Sequence, residues 1–294
     1  MPEVAAQYLS VLGKVFMKKL FTILFLQLIT THAIAQSCCT PPSGDFQLLA
    51  MNDDFKEAHM SPLPLNYTPG EFSAMIKFAT DDGKEGNAFY LPSDKPTGNV
   101  LIIFHEWWGL NDYIKKEAER LQLVLGNVDV YAIDLYDGQV ATEAADAAKL
   151  SEGLSQKRGE AIVRGMISHI GVNKRVSTLG WCMGGTWAFT ASLMLGEKAA
   201  GCVMYYGFPE KDEAKIKTLK TDVLYVYGTK DKFITKDAVD LFEKQVLGSL
   251  NKFERHDYNA VHAFANPSNP NFAAKEAKAA EVYMIDFLKK KLQL

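Results

Sequence analysis

The sequence has few cysteines and almost no excess of either charge, and each of these two shortages excludes a class of protein. Four cysteines in 294 residues are too few for a small disulfide scaffold. Lysine and arginine number 32 and aspartate and glutamate 35, so the net charge of −3 lacks the basic excess of a nucleic-acid-binding protein. The remaining composition, 48% hydrophobic and 23% charged, is that of an ordinary globular chain and excludes wholesale disorder and coiled coil.

The first 35 residues predict a targeting segment. Lys18 and Lys19 precede an apolar run over residues 20–29, and the small residues of Ala33-Ile34-Ala35 follow it. A basic start, a short apolar centre and an A-x-A pattern are typical of a secretory signal peptide, and the run is too short for an ordinary membrane span. The alternative is a buried N-terminal helix. Because residues 1–16 fit neither a signal nor a domain, we interpret Met17 as the translation start.

The mature chain is then expected to begin at Gln36, to be secreted or periplasmic and to contain no membrane span. Cys38 and Cys39 follow the predicted cleavage site directly. We interpret them as part of a flexible tail in an oxidising compartment. A lipid anchor on Cys38 is the alternative, but Ala35-Gln36-Ser37 is a poor lead-in for one.

The pattern after residue 36 predicts a short lead-in and one α/β domain. Residues 36–70 are rich in proline and turn signals, so we expect loops with one short helix near residues 53–60. Residues 71–294 alternate strands with helices: a hairpin over 72–91, then near-continuous apolar strands joined by helical stretches. Such strands predict a mostly parallel sheet with helices on both faces, whose site lies at the carboxyl ends of the strands.

Cys182 has the sequence context of a catalytic nucleophile. It is the central residue of Gly180-Trp181-Cys182-Met183-Gly184, between a predicted strand and a predicted helix. This G-x-nucleophile-x-G pattern makes a turn so sharp that its flanking residues must be glycine, and it holds the nucleophile strained and exposed. The helix that follows favours a thiolate through its N-terminal dipole. The alternative is a buried cysteine in a glycine-rich turn.

Two later strand ends provide an acid and a histidine in the order that this fold requires. Asp231 follows the strand near 223–227 and, considered alone, would be an ordinary turn residue. His262 lies on a loop before the last helix, and among the six histidines it alone fits the order nucleophile, acid, histidine. His59 is in the lead-in, and His105 precedes the nucleophile. The backbone N–H groups of Trp107 and Met183 are the expected oxyanion-hole donors.

At this point the chain resembles the dienelactone hydrolase family of α/β-hydrolases over about residues 70–292. The matching pieces are His105-Glu106-Trp107-Trp108-Gly109, Asp134-Leu135-Tyr136, Gly180-Trp181-Cys182-Met183-Gly184-Gly185, Tyr205-Tyr206-Gly207, Gly228-Thr229-Lys230-Asp231 and His262-Ala263-Phe264. The resemblance implies an α/β-hydrolase fold and a Cys182–His262–Asp231 triad. It also implies that Glu106 contacts the resting thiol and helps to remove its proton once substrate displaces it. Trp108 and Tyr136, in two of the matching loops, are assigned to substrate binding.

One departure from the family concerns the substrate. Lactone-cleaving members carry an arginine for the substrate carboxylate soon after the Asp-Leu-Tyr motif, but this chain has no arginine between Arg120 and Arg158. A cationic clamp for an anionic lactone is therefore not expected there.

The sequence thus predicts an exported hydrolase that cleaves a small-molecule ester, lactone or thioester through an acyl-cysteine. It needs no metal or organic cofactor, since neither HExxH nor paired CxxC occurs. Two alternatives stay open: a non-catalytic binding protein of the same fold, and a thiol redox protein that uses Cys182 with Cys38 or Cys39.

Overall fold

The computed structural model describes residues 42–95 and 97–294. The predicted signal peptide, Met17, Gln36 and the Cys38-Cys39 pair lie outside the described residues. No helix within the described residues is long and apolar enough to cross a bilayer.

The domain is built on an eight-stranded sheet with the order β1-β2-β4-β3-β5-β6-β7-β8. Pairing is antiparallel from β1 to β2 and from β2 to β4, and every other pair is parallel. The predicted hairpin and mostly parallel sheet are therefore confirmed. The strands are β1 (Ala74–Ala79), β2 (Glu85–Leu91), β3 (Asn99–Phe104), β4 (Asp129–Asp134), β5 (Arg175–Trp181), β6 (Ala199–Tyr205), β7 (Val223–Gly228) and β8 (Phe253–Tyr258).

Helices cover the sheet on both faces. Gly201 of β6 lies against Phe287 of the last helix, and its register partner in β5 is Ser177. Thr178, which follows Ser177 in β5, points to the opposite face of the sheet, where its Oγ1 donates to the carbonyl of Ala188. The helices are α1 (Pro42–Ala50), α2 (Asp53–Ala58), α3 (Asp112–Leu125), α4 (Ala144–Gly153), α5 (Gln156–Ile170), α6 (Met183–Leu195), α7 (Glu213–Ile216), α8 (Lys236–Gly248) and α9 (Ala274–Leu292).

The two-sided cover explains the apolar strands. Strand β7 is buried at all six positions, and β3 is buried at all but its first. In contrast, β8 at the edge of the sheet has no fully buried residue. The central strands are thus the core, and their carboxyl ends form a buried floor for the loops that follow.

The lead-in is more ordered than the sequence predicts. The expected short helix is α2, but α1 occupies a stretch that we predicted as loop. Pro42 is tolerated there because the first turn of a helix needs no N–H from it. Phe46 and Ala50, one turn apart on α1, are both fully buried and join the core of the same compact unit as the sheet.

Candidate active site

The turn between β5 and α6 holds Cys182 in a strained conformation. Its φ is 54° and its ψ is −122°, a region that residues with a Cβ rarely adopt. A Cβ on Gly180 would lie 2.0 Å from the Gly184 carbonyl oxygen, and one on Gly184 would lie 2.2 Å from that of Phe104. Only glycine fits at these two positions. The G-x-C-x-G pattern is therefore required because the turn packs closely against its own backbone and against the backbone of Phe104.

A hydrogen-bonded chain joins Cys182, His262 and Asp231 across the ends of three strands. The Cys182 Sγ lies 3.2 Å from His262 Nε2, and His262 Nδ1 lies 2.7 Å from Asp231 Oδ2. The other oxygen of Asp231 accepts the backbone N–H groups of Phe233 and Ile234 at 2.8 and 3.0 Å. Because Nδ1 faces a carboxylate it carries the proton, and Nε2 is directed at the thiol.

The environment raises the pKa of both the Cys182 thiol and the His262 imidazole. Burial raises the pKa of the Cys182 thiol, and the charge of Glu106 adds to the rise, although His262 and the backbone N–H of Met183 act the other way. Burial lowers the pKa of His262, but the attraction of Asp231 and of the sulfur outweighs burial and leaves that pKa well above its ordinary value. The raised pKa makes His262 a stronger base than a free imidazole.

Glu106 stands beside this chain and is held by two residues that the sequence analysis did not single out. Asn266 Nδ2 donates to Glu106 Oε2, and the Tyr206 hydroxyl lies 3.5 Å from Oε1. Burial raises the pKa of Glu106 to about 7 despite these donors. The resemblance implies a contact between Glu106 and the resting thiol; here its hydrogen bonds go to Asn266 and Tyr206 instead. Tyr206 belongs to one of the motifs shared with the family, and Asn266 lies four residues after His262. These positions were the features of the sequence that could have indicated a role at the site.

The loop that carries Glu106 is fixed by His105. The ring accepts the Leu135 N–H at Nε2, at 3.0 Å, and Nδ1 donates to the Glu106 carbonyl at 2.5 Å. This buried imidazole therefore ties the loop after β3 to the loop after β4. His105 thus affects the site indirectly, by fixing the position of Glu106.

The two expected oxyanion-hole donors lie where the sequence predicts them: Trp107 in the loop after β3 and Met183 at the turn after β5. The two residues expected to bind substrate, Trp108 and Tyr136, differ in position. Met183 is the first residue of α6, and within the described residues no protein oxygen accepts the Trp107 N–H. Trp108 lines a cavity next to the site. Tyr136 does not line it: the Tyr136 hydroxyl is buried and donates to the Met183 Sδ at 3.2 Å.

The prediction of an exposed nucleophile is wrong for this structure. Cys182 is only 1% exposed and His262 only 6%. Part of the cover comes from α2 and the residue after it: the ring centroids of Phe55 and His59 lie 5.9 and 5.3 Å from that of His262. Tyr206 and Phe233 lie equally close, at 5.2 and 5.7 Å. Chain order alone does not point to His59, because no local pattern in the sequence indicates which part of the domain the lead-in packs against.

His59 presents an unpartnered nitrogen to the site. Its Nδ1 donates to the Phe55 carbonyl at 2.7 Å, and its Nε2 is buried without a hydrogen-bond partner. Burial, followed by the charge of His262, lowers the pKa of His59 to about 3, so the ring is neutral. Within the described residues, His59, Cys182 and His262 are the group of histidine, cysteine and carboxylate side chains close enough to share a metal ion.

A cavity of about 450 Å³ opens beside Glu106. Its wall includes Trp108, Trp181, Asn266, Phe272 and Met284. The guanidinium in its wall, Arg120, is bound to Glu117 and Glu281. Arg158, the first arginine after the Asp-Leu-Tyr motif, pairs with Asp82 and Asp137. Both guanidinium groups are thus engaged by protein carboxylates.

The chain matches a known protein family. The profile of the dienelactone hydrolase family matches residues 87–292. A carboxymethylenebutenolidase of a Pseudomonas species is 31% identical over 230 residues, which cover 72% of this chain and 92% of the relative. Carboxymethylenebutenolidase 1 of Cupriavidus pinatubonensis is 26% identical, with 70% and 93% covered.

Solved structures agree on the fold. A dienelactone hydrolase-like promiscuous phosphotriesterase from metagenomic libraries superposes with a TM-score of 0.65 at 18% identity, covering 74% of this chain and 98% of that one. An esterase of Pyrococcus furiosus gives a TM-score of 0.56 at 14% identity, covering 80% and 99%. Helices α1 and α2 precede residue 87 and so lie outside the family match.

Proposed function

The chain belongs to the dienelactone hydrolase family and is a hydrolase, and from this premise we propose that it cleaves an ester, lactone or thioester through an acyl-cysteine on Cys182. The observation that carries the proposal is the continuous chain from Cys182 Sγ through His262 to Asp231 at a strained strand-to-helix turn. These are the parts that nucleophilic acyl transfer needs: a nucleophile, a base within hydrogen-bond reach and a group that orients the base.

In the first half of the reaction, His262 Nε2 accepts the thiol proton as Sγ attacks the substrate carbonyl. Asp231 orients the ring and stabilises the imidazolium that forms. The N–H groups of Trp107 and Met183 donate to the oxyanion, and the positive end of α6 supports the same charge. His262 then gives its proton to the leaving oxygen or sulfur, which leaves the acyl group on Cys182.

In the second half, water attacks the acyl-cysteine. His262 Nε2 takes one proton from this water, the oxyanion again forms at the Trp107 and Met183 amides, and the thiol recovers the proton when the acid leaves. No metal or organic cofactor takes part in this scheme.

Glu106 controls when the thiol ionises. Its carboxylate opposes a thiolate in the resting site, and a thiol that stays neutral is protected from oxidation because oxidation follows thiolate character. A substrate that enters between Glu106 and the sulfur would displace the carboxylate from Asn266 and Tyr206, and the displaced carboxylate would help to draw the thiol proton from the sulfur toward His262. The pKa of Glu106, about 7, suits this role near neutral pH.

The cavity beside Glu106 supports a substrate group with a large apolar surface, although Lys116 also lines its wall. Trp108, Trp181 and Phe272 supply apolar surface, and Arg120 is already neutralised by Glu117 and Glu281. We therefore place the non-reacting part of the ester in this cavity, with Trp108 in contact. Tyr136 contributes by supporting Met183 at the oxyanion loop.

Export completes the proposal. The basic start, short apolar run and A-x-A pattern of residues 17–35 support a signal peptide and a secreted or periplasmic enzyme.

A panel of acyl esters, lactones and thioesters on the mature protein tests the function, with Cys182→Ala and His262→Ala as variants. Each substitution should lower turnover at least about 1,000-fold, and similarly, because members of a triad act as a unit. An acyl adduct on Cys182 should be visible by mass spectrometry when a slowly hydrolysed ester is used.

Two outcomes would replace the proposal. A Cys182→Ala variant with wild-type turnover removes the covalent mechanism, and no turnover of any substrate by the wild type favours the non-catalytic binding protein. Loss of less than tenfold in His262→Ala points to another base.

A further inference from the structure

The lead-in brings a bare imidazole nitrogen to the nucleophile. His59 is 4% exposed and its Nε2 has no hydrogen-bond partner within the described residues. This atom, the Cys182 Sγ and the His262 Nε2 all lie within 4.8 Å of one another. Three atoms that can each offer a lone pair therefore face one small volume.

Both imidazoles are held in the tautomer that metal binding requires. A carbonyl only accepts, so the His59 Nδ1 bonded to Phe55 carries the ring proton and Nε2 is free of one. Likewise, His262 donates from Nδ1 to Asp231. Metal-bound histidines in proteins donate their second nitrogen to a carbonyl or carboxylate in this way.

We propose that His59, Cys182 and His262 form a binding site for a thiophilic divalent cation of the Zn²⁺ class, which inhibits the enzyme. Thiolate and imidazole ligands select such ions over Mg²⁺ or Ca²⁺. Binding releases the thiol proton to solvent, so the thiolate and the Asp231 carboxylate together offset the two positive charges of the ion.

The distances require a small adjustment. Zinc bonds of about 2.3 Å to sulfur and 2.0 to 2.1 Å to nitrogen place tetrahedral ligands about 3.3–3.6 Å apart. The Cys182 Sγ and His262 Nε2 are already 3.2 Å apart. His59 needs to approach by about 1.5 Å at most, and it lies in a short lead-in segment rather than in the sheet. The fourth position stays open for water.

Inhibition follows from the identity of the ligands, and this consequence rests on the proposed function. The metal occupies the sulfur that would attack the carbonyl and the nitrogen that would take its proton. It also bonds His59, and so fixes α2 over the site.

The binding test uses cobalt as a spectroscopic probe, because thiolate-bound Co²⁺ has a charge-transfer absorption. The full chain, first stripped with EDTA, is titrated with CoCl₂ and then with ZnCl₂ as competitor. We expect a thiolate–cobalt band that Zn²⁺ abolishes and that is absent in Cys182→Ser. His59→Phe keeps the ring packed against Phe55 and Trp107 but removes the nitrogen, so it should weaken Co²⁺ binding at least about 100-fold.

His256→Ala is the matched control, since His256 lies on the edge strand β8 and bonds Glu254. It should leave the cobalt band unchanged. Equal affinity in His59→Phe and wild type would overturn the site, and so would a cobalt band that survives in Cys182→Ser. If His59→Phe is unstable, His59→Gln gives the same comparison.

The activity arm keeps the two proposals separate. Zn²⁺ should inhibit ester hydrolysis, EDTA should restore it, and His59→Phe should need about 100-fold more Zn²⁺ for the same fractional inhibition. Hydrolysis without any cobalt band would refute the metal site and leave the hydrolase intact. A cobalt band in a protein that cleaves no ester would support the metal site and refute the proposed function.

Discussion

The sulfur of Cys182 is surrounded by groups that act against each other. His262 and the α6 N-terminus favour the thiolate, whereas burial and Glu106 oppose it. Glu106 is the charged side chain that opposes the thiolate, so removing its charge should shift the ionisation of the thiol.

Glu106→Gln tests that role at the residue scale. The swap keeps the shape and removes the charge, so the thiol should ionise at lower pH, with the difference appearing above about pH 7, where Glu106 is charged. Acylation should at the same time slow strongly, because glutamine has no carboxylate that could help to remove the thiol proton once substrate is bound. Alkylation of Cys182 against pH and the rate of ester hydrolysis are measured together.

Glu117→Gln is the control for this substitution, because Glu117 also lines the cavity but bonds Arg120. Its thiol titration should match the wild type. If Glu106→Gln changes neither titration nor turnover, Glu106 is only a structural residue of its loop.

At the scale of elements, α2 forms part of the cover over the site. Phe55 and His59 lie over His262, and Phe55 is fully buried among aromatic rings. Because Cys182 is buried, we expect movement of this cover to change access to the sulfur.

Phe55→Ala should therefore loosen the cover. Removing a buried phenylalanine costs about 3–5 kcal/mol, and the loss falls first on the short helix that carries it. Iodoacetamide should modify Cys182 at least about tenfold faster, since every 1.4 kcal/mol in the free energy of opening is a factor of ten.

Two controls accompany this measurement. Cys202 is buried in β6, so its slow modification in the same sample shows that the domain has not unfolded. Phe72→Ala removes a ring that is 81% exposed and should change neither rate. An unchanged Cys182 rate in Phe55→Ala would mean that α2 does not limit access.

The junction of β5 and α6 makes a second prediction at this scale. In Gly184→Ala the new Cβ would meet the Phe104 carbonyl oxygen at 2.2 Å, so backbone must shift. We expect about 3 kcal/mol lower stability, or roughly 6–12 °C in melting temperature, together with loss of hydrolysis.

Gly153→Ala, at the end of α4, is the matched substitution, because nothing lies within 4 Å of its Cβ. Its melting temperature should equal or slightly exceed that of the wild type. Equal melting temperatures for both variants would contradict the argument from close backbones.

At the scale of the whole molecule, the sequence predicts a processed chain. Mass spectrometry of the exported protein should find Gln36 at its N-terminus, because the A-x-A pattern ends at Ala35. An intact N-terminus in the soluble fraction, or an acylated Cys38, would reject cleavage by an ordinary signal peptidase.

The sequence by itself determined those features that depend on local rules. Apolar strands alternating with helices are enough to predict a parallel sheet, and sheet topology then brings strand ends to one edge. The glycines around Cys182 report a turn that only glycine can make. Together with chain order, these local rules selected Asp231 and His262, which the structure places in one hydrogen-bonded chain with Cys182.

Only the tertiary structure decided what surrounds that chain. The partners of Glu106 come from Tyr206 and Asn266, 100 and 160 residues away, and no periodicity links them. The lead-in, whose prolines suggested loops, covers part of the site through Phe55 and His59. The unpartnered nitrogen of His59 depends on where that lead-in packs. Packing of this kind depends on the complementary surfaces of segments that are distant in the sequence. A local pattern along the chain therefore does not predict it.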